Sequence, residues 1–158
     1  MDTFLQQAEK PADRFNTLLE PFAEEYDYIF LDCPPSISAV SENVFAAADI
    51  VLVPTIPTTL SLRTYQQIIE FFDQQGIDKT KVLPFFIMVD RRKKMHRLIV
   101  KHPPTFMSSV LNSYIPYASE VERMGVHRAP LTVFAARSRA AQCYTSMWDE
   151  LRQYLYYM

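Results

Sequence analysis

The sequence predicts an α/β fold built on a doubly wound, mostly parallel sheet, and three observations lead to it. Helix-like and strand-like patterns alternate along the chain, in the order helix, strand, helix, strand, helix, strand, helix. Two strand-length runs, Asp49–Pro54 and Val82–Val89, are almost wholly apolar, as parallel strands covered on both faces are. The 158 residues, 49% hydrophobic and 22% charged, suit one domain with a real core.

The elements follow in order. Residues 11–25 read as a helix, with Phe15, Leu18, Leu19 and Phe22 at helical spacing and Pro21 expected to kink or end it. Residues 26–32, Tyr-Asp-Tyr-Ile-Phe-Leu-Asp, are aromatic and apolar enough for a strand, which Pro34 and Pro35 must stop because neither donates to a ladder. A helix is expected over 38–48 and the second strand over 49–54. Leu62, Tyr65, Ile68, Ile69 and Phe72 form one face of a helix over 61–75, capped by Gly76. The third strand is expected at 82–89, followed by a basic stretch to Lys101 and a break at His102-Pro103-Pro104. A helix is expected over 105–112 and a short strand at 114–116. Ser119 and Glu122 carry capping-box spacing for a brief helix, and 131–134 reads as extended. The last helix, 139–157, has a stripe of Tyr144, Met147, Trp148, Leu151, Tyr154 and Leu155 that reads as core packing.

Composition excludes several classes. Cys33 and Cys143 are too few for a disulfide framework or a zinc site, and they read as reduced thiols of a cytosolic protein. No apolar run approaches the roughly 20 residues of a membrane span, and the first ten residues have no signal-peptide core. His96, His102 and His127 have no metal-ligand spacing. Ser36 lacks a nucleophile elbow, and the charge of Asp32 disfavours a thiolate at Cys33. The net charge of −2 hides an asymmetry: residues 1–90 hold 5 basic and 14 acidic residues, whereas residues 91–148 hold 10 basic and 2 acidic. Such a split marks either a face for an anionic partner or two halves that interleave and cancel.

The most informative string is Tyr26–Ser36. In open α/β sheets ligands sit beyond the carboxyl ends of the strands, and a carboxylate there can orient a magnesium ion on nucleotide phosphates. Taken alone, Asp32 could equally cap the next helix. The full string, Tyr26-Asp27-Tyr28 with an apolar run and then Asp32-Cys33-Pro34-Pro35-Ser36, resembles the Walker B segment of the ParA/MinD/Soj family of deviant-Walker ATPases. Asn43–Asp49 resembles that family's helix running into its next strand, and Ile50–Pro54 resembles the strand. Ile115-Pro116, Glu120–Pro130 and Ser138–Tyr144 resemble later family segments, so the likeness covers residues 21–155.

The resemblance implies a P-loop NTPase-like fold, ATP and Mg2+ as cofactors of the intact protein, and Asp32 as the catalytic carboxylate that holds magnesium through water. It places Pro34, Pro116, Tyr117 and Glu120 toward the nucleotide. Tyr117 stands where the family more often has arginine, and it either stacks on adenine or packs on the neighbouring proline. The resemblance also implies a homodimer, a ParB-like activator or cargo adaptor, nonspecific DNA binding and a cytoplasmic, nucleoid-associated location without membrane attachment. The DNA contacts are expected in the densest basic cluster, Arg91, Arg92, Lys93, Lys94, Arg97 and Lys101, which is followed by no acidic residue until Glu120.

The family's phosphate loop needs clustered glycines and a lysine, yet Gly76 and Gly125 are the only glycines and stand far apart. The chain is therefore expected to be a single partial domain, residues 1–158, that runs from the Walker B segment onward. By the family pattern the first strand, the P-loop helix and another strand would precede residue 1; a fragment or split form is the preferred expectation, and a naturally truncated relative is the alternative. A sheet without its P-loop strand exposes edges, so dimerisation or partner dependence is expected, and hydrolysis by this chain alone is not. Two other classes stay open: an ATP-dependent ligase of the cobyrinate diamide synthase or dethiobiotin synthase type, and a non-catalytic interaction module.

Overall fold

A computed structural model describes residues 11–33 and 39–157, with side chains from residue 15 in the first stretch and residue 41 in the second. Helix α1 (Pro11–Ala23) and helix α2 (Ala39–Ala47) precede β1 (Val51–Thr55), α3 (Thr59–Gln75), a 3-10 turn at Lys79–Lys81 and β2 (Val82–Val89). Then follow α4 (Lys94–Lys101), β3 (Tyr114–Pro116), α5 (Ser119–His127), the single turn α6 (Leu131–Phe134) and α7 (Arg139–Tyr156). The three strands form one parallel sheet in the order β1-β2-β3, with α3 and α4 as the crossovers. This is the α/β class that the apolar strands predicted.

Alternation along the strands sorts the core onto two faces. Val51, Val53, Val82 and Phe86 pack with Tyr65 and Phe72 of α3 and with Phe45 of α2. Leu52, Leu83 and Phe85 point the other way, onto Met147, Trp148, Leu151 and Leu155 of α7. Val89 would share the α7 face by strict alternation. It packs instead with the α3 group, because the β2–β3 register shifts between Phe86 and Val89. Met88 supplies the slip, with a left-handed φ of 51° that is unusual outside glycine. A third, smaller cluster joins Leu131, Ala140 and Ala141 with Val121, Met124 and Phe134, and it ties α5 and α6 to the start of α7.

The helix ends explain where the elements begin and stop. The Thr58 side chain accepts the Ser61 N–H at 3.4 Å, and the Ser61 hydroxyl accepts the Ile56 N–H at 3.1 Å. This reciprocal pair starts α3 two residues before the expected position. Gly76 ends it in the left-handed conformation, φ 64°, with its N–H directed at the carbonyls of Asp73 and Phe72. Ser138 caps α7 by accepting the Ala141 N–H at 3.1 Å.

Several expectations are corrected. Residues 26–33 are not in the sheet, although their composition suits a strand. A strand needs a neighbour, and an open cleft separates this segment from β1. Residues 105–112 form no helix. Their backbone is spent elsewhere, in a turn from the Met107 N–H to the Pro104 carbonyl and in a bond from the Leu111 N–H to the Pro84 carbonyl of β2. Residues 131–134 make a helical turn rather than an extended stretch. The Ser119–Glu122 capping box does not form: Ala118 is the N-cap of α5 and no side chain caps it. Pro21 sits inside the last turn of α1, which ends two residues later. The apolar stripe of α1 is only partly covered, with Leu18 and Phe22 exposed.

Candidate functional site

Parallel strands deliver their carboxyl ends to one edge, and the loops that leave that edge are where such folds hold ligands. Here β2 ends at Val89-Asp90 and β3 ends at Pro116-Tyr117. The Tyr117 N–H donates to the Val89 carbonyl at 3.1 Å, so the two strand ends are locked side by side.

Asp90 organises the turn that follows β2. Its carboxylate accepts the Arg92 backbone N–H and the Arg92 Nε–H on Oδ1, and an Arg92 terminal N–H on Oδ2, all at 3.0 Å. These bonds hold the Asp90 carboxyl down at about 2, well below the usual carboxylate range. The Lys93 N–H closes the turn on the Asp90 carbonyl at 3.1 Å. The Asp90 N–H donates to Nδ1 of His96 at 3.2 Å. His96 is buried, at 3% exposure. Burial first, and the nearby Lys93 charge second, push its imidazole below the ordinary value, against the pull of Asp90. The ring is thus a neutral acceptor at Nδ1. Arg97 donates to the Arg91 carbonyl at 2.8 Å and stitches the turn to α4 from outside.

All six cations singled out in the sequence, Arg91, Arg92, Lys93, Lys94, Arg97 and Lys101, are exposed. Lys94, Arg97 and Lys101 fall at helical spacing on one face of α4. Arg91 and Lys93 lie in the turn that leads into it, beside the helix N-terminus, whose backbone dipole adds to the positive field. Arg92 differs, since its guanidinium is already engaged by Asp90. The cluster is a rigid turn and helix face, with no acidic residue from Arg91 to Ser119.

Of the residues expected to face a base, Tyr117 is 51% exposed, and Pro116 and Glu120 are half-buried. Tyr117 lies close enough to Arg92 for the two to interact electrostatically. Asp90 sits on this edge, but its carboxylate is spent on Arg92 rather than open to a ligand.

Asp32 lies apart from that edge. It is exposed and lines a cleft of about 1500 Å³ between residues 26–33 and β1, a cleft that Pro116, Tyr117 and Glu120 do not line. Pro34 falls outside the described residues. Desolvation first, and then the Asp32 charge, raise the Cys33 thiol above its ordinary value, consistent with an unreactive side chain. The structure therefore gathers the β2 and β3 ends with the cationic turn and leaves Asp32 in a separate cleft. Sequence reasoning missed the Asp90–Arg92–His96 arrangement. Its only signal was a histidine six residues after an aspartate at a strand end, a spacing that becomes meaningful only once the turn is drawn.

ATP with magnesium requires a backbone cradle for the phosphates as well as a carboxylate. Gly76 caps α3 and Gly125 lies within α5, so neither opens such a cradle. Among the described residues no group of three or more acidic, histidine or cysteine side chains could hold a metal. The residues described do not by themselves fit the nucleotide. Among them, no helix is long and apolar enough to cross a membrane.

Comparison with known proteins adds a lineage. A family described as an AAA domain matches residues 1–83, just over half of the chain. A chromosome partitioning protein ParA from Myxococcus xanthus is 27% identical over 143 residues, which cover 87% of this chain and 50% of the relative. A chromosome-partitioning ATPase Soj from Treponema pallidum is 28% identical over 144 residues, covering 85% and 55%. A sporulation initiation inhibitor protein Soj from Bacillus subtilis is 24% identical over 143 residues, covering 87% and 56%. The chain spans about half the length of these curated relatives.

Proposed function

The chain belongs to the ParA-type P-loop ATPase family, and from that premise we propose that it is the DNA-facing portion of a partition or cargo-positioning ATPase. The observation that carries this reading is the cationic turn and helix at residues 91–101, held rigid by Asp90, His96 and the Arg97–Arg91 bond. Phosphate-backbone binding needs several cations on one face and no base readout. Lys94, Arg97 and Lys101 on one helix face, with Arg91 and Lys93 beside them, meet that need. Relatives bearing the names ParA and Soj are described as chromosome-partitioning proteins, which favours DNA as the anionic partner.

In the intact protein, ATP with magnesium would supply the switch that controls dimerisation, and a ParB-like activator would reset it. Asp32 is the carboxylate this chain would contribute toward magnesium, through water. Tyr117, with Pro116 and Glu120, would contribute toward the base. No hydrolytic step is assigned to the chain alone, because it carries no glycine-rich loop with its lysine.

The test is fluorescence anisotropy of random-sequence duplex DNA titrated across salt. The expected result is sequence-independent binding whose affinity falls steeply with salt, with a log–log slope of about −0.9 for each phosphate neutralised. Lys94→Glu with Lys101→Glu should flatten that slope and weaken binding at least about tenfold, with the circular dichroism spectrum unchanged. Salt-independent binding, or wild-type slopes in the double variant, would refute the assignment.

A further inference from the structure

An open cavity of about 320 Å³ lies at the amino end of β2, the end opposite Asp90, and the geometry points to it as a site for a small organic carboxylate with an apolar body. It is lined by Ile69 of α3, by Lys79 and Thr80 of the 3-10 turn that feeds β2, and by Phe106 and Ser108 of the segment before β3. Three features set it apart from a dent in the surface. First, Tyr65 stands one turn before Ile69 on α3 and is 1% exposed. Its hydroxyl is buried and meets no hydrogen-bond partner of ordinary geometry among the described residues, a condition rare enough to need a reason. The Tyr65 ring stacks on that of Phe106, with centroids 6.4 Å apart and 29° between the planes. Burial pushes the Tyr65 phenol above its ordinary value, and the Ser108 hydroxyl pulls it partly back. Tyr65 therefore sits behind two residues of the lining. Second, Ser109, next to Ser108, holds a left-handed φ of 55°, and such strain in a non-glycine residue gathers at ligand clamps. Third, Phe106 packs on Tyr65 yet stays 41% exposed, so it offers apolar surface to the cavity.

The chemistry of the lining selects the ligand. The volume falls at the lower end of the roughly 300–1,000 Å³ of small-molecule sites. Phe106 and Ile69 supply an apolar floor for a ring or a short alkyl chain, and the polar side supplies donors. The Lys79 ammonium is the one charge in the lining. It bridges to Asp73 at 2.7 Å, but both side chains are more than half exposed, and such a surface pair is weak enough to exchange for a ligand. Thr80 has already spent its hydroxyl hydrogen on Asp78, at 2.8 Å. The second donor is Ser108. A Tyr65 O–H that donates to the Ser108 oxygen turns the Ser108 O–H toward the cavity and ends the isolation of the phenol. One ammonium and one hydroxyl match one carboxylate. A phosphate would call for a nest of backbone donors or several cations, and the nearby Asp73 and Asp78 disfavour a multiply charged anion. Lys79, Ser108 and Phe106 touch the ligand, and Tyr65 is a positioning residue. None of the four belongs to the 91–101 face, so the inference stands or falls independently of DNA binding.

The test titrates the chain with 3-phenylpropionate, with its neutral amide and with inorganic phosphate, and follows the backbone amides by NMR. The expected result is saturable shifts at Ile69, Thr80 and Ser108 with the carboxylate, binding of the amide at least about fivefold weaker, and no shifts at these residues with phosphate. Lys79→Gln should lower the carboxylate affinity about fivefold and leave that of the amide unchanged. Tyr65→Phe should weaken carboxylate binding about threefold or more. The same variant should keep or raise the thermal midpoint, because the hydroxyl it removes has no partner in the unliganded chain. A tyrosine with a structural role alone would lose stability and leave affinity as it was. Phe106→Ala should abolish binding of acid and amide alike. Shifts that are absent or never saturate, equal affinity for acid and amide, wild-type affinity in Lys79→Gln, or a stability loss without a binding loss in Tyr65→Phe would overturn the proposal.

Discussion

The Glu150 carboxylate of α7 accepts the backbone N–H of Ser113 at 2.8 Å, one residue before β3 begins. Its other oxygen accepts the backbone N–H of Asn112 at 2.6 Å and the Asn112 side-chain amide at 2.9 Å. One side chain thus aligns the entry to β3, and through β3 the position of Pro116 and Tyr117. Partial burial raises the Glu150 carboxyl, but the bonds from Ser113 and Asn112 outweigh it, and the net effect is a lowered value.

This arrangement gives stability a pH dependence of known sign. The folded value lies below the unfolded one of about 4.3, so the contribution is full above that pH and is lost as pH falls through the folded value. Glu150→Ala should cost about 1–3 kcal/mol at pH 7, since it strips the acceptor from two backbone donors. The cost should shrink below about pH 4. Urea unfolding midpoints across pH check both statements, and a variant whose deficit stays constant into acid would contradict the mechanism.

His96 predicts a second titration. Its folded value is lowered by burial and by Lys93, so the neutral form is the one the fold retains. Stability from this group is present above its unfolded value of about 6.5 and declines as pH falls through the folded value. Protonation converts Nδ1 from acceptor to donor and sets it against the Asp90 N–H, loosening the turn that carries Arg91–Lys94. His96→Ala should cost about 1–3 kcal/mol by leaving that N–H unmet. Amide exchange at Asp90 should then become fast and insensitive to pH between about 5 and 7.5, after allowance for intrinsic chemistry. Unaltered protection at Asp90 would show that the histidine is not its acceptor.

How much of this was legible in the sequence depends on which partner each element needs. β1 and β2 were readable because their partners and covering helices lie within the chain, and continuous apolar runs such as Val82–Val89 announce burial on both faces. Gly76 was readable because a left-handed cap is a local demand of one residue. Residues 26–33 were not, since strand propensity at Tyr28, Ile29 and Phe30 becomes a strand only against a neighbour. Residues 105–112 look helical by composition, but the Leu111 N–H is claimed by Pro84, a residue far off in sequence. The bulge at Met88 left no trace either, as no glycine or asparagine marks it. The six cations were legible as a cluster; that Arg92 is committed to Asp90 was not.

Gly76→Ala tests the cap of α3. Open space surrounds the position, so no clash opposes the added methyl. The backbone still sits at φ 64°, where a non-glycine residue is disfavoured by roughly 1 kcal/mol or more. The expected loss is therefore about 1 kcal/mol, arising entirely from conformation. Gly76→Asn should recover part of it, because asparagine tolerates the left-handed region. Equal losses for alanine and asparagine would point to a cause other than backbone strain.

Phe72→Ala, three residues from the end of the same helix, tests the core face shared by β1 and β2. Phe72 is fully buried and its ring lies 5.2 Å from that of Phe45. Truncation removes a large apolar side chain and leaves a cavity between α2, α3 and the sheet, at a cost of about 3–5 kcal/mol. Because Phe45 also lines the cleft beside β1, its ring should lose order as the cavity opens. Phe72→Leu restores most of the volume and should bring back more than half of the stability. If the alanine variant lost less than about 1 kcal/mol in denaturant titration, the two helices would not be packed against the sheet as described.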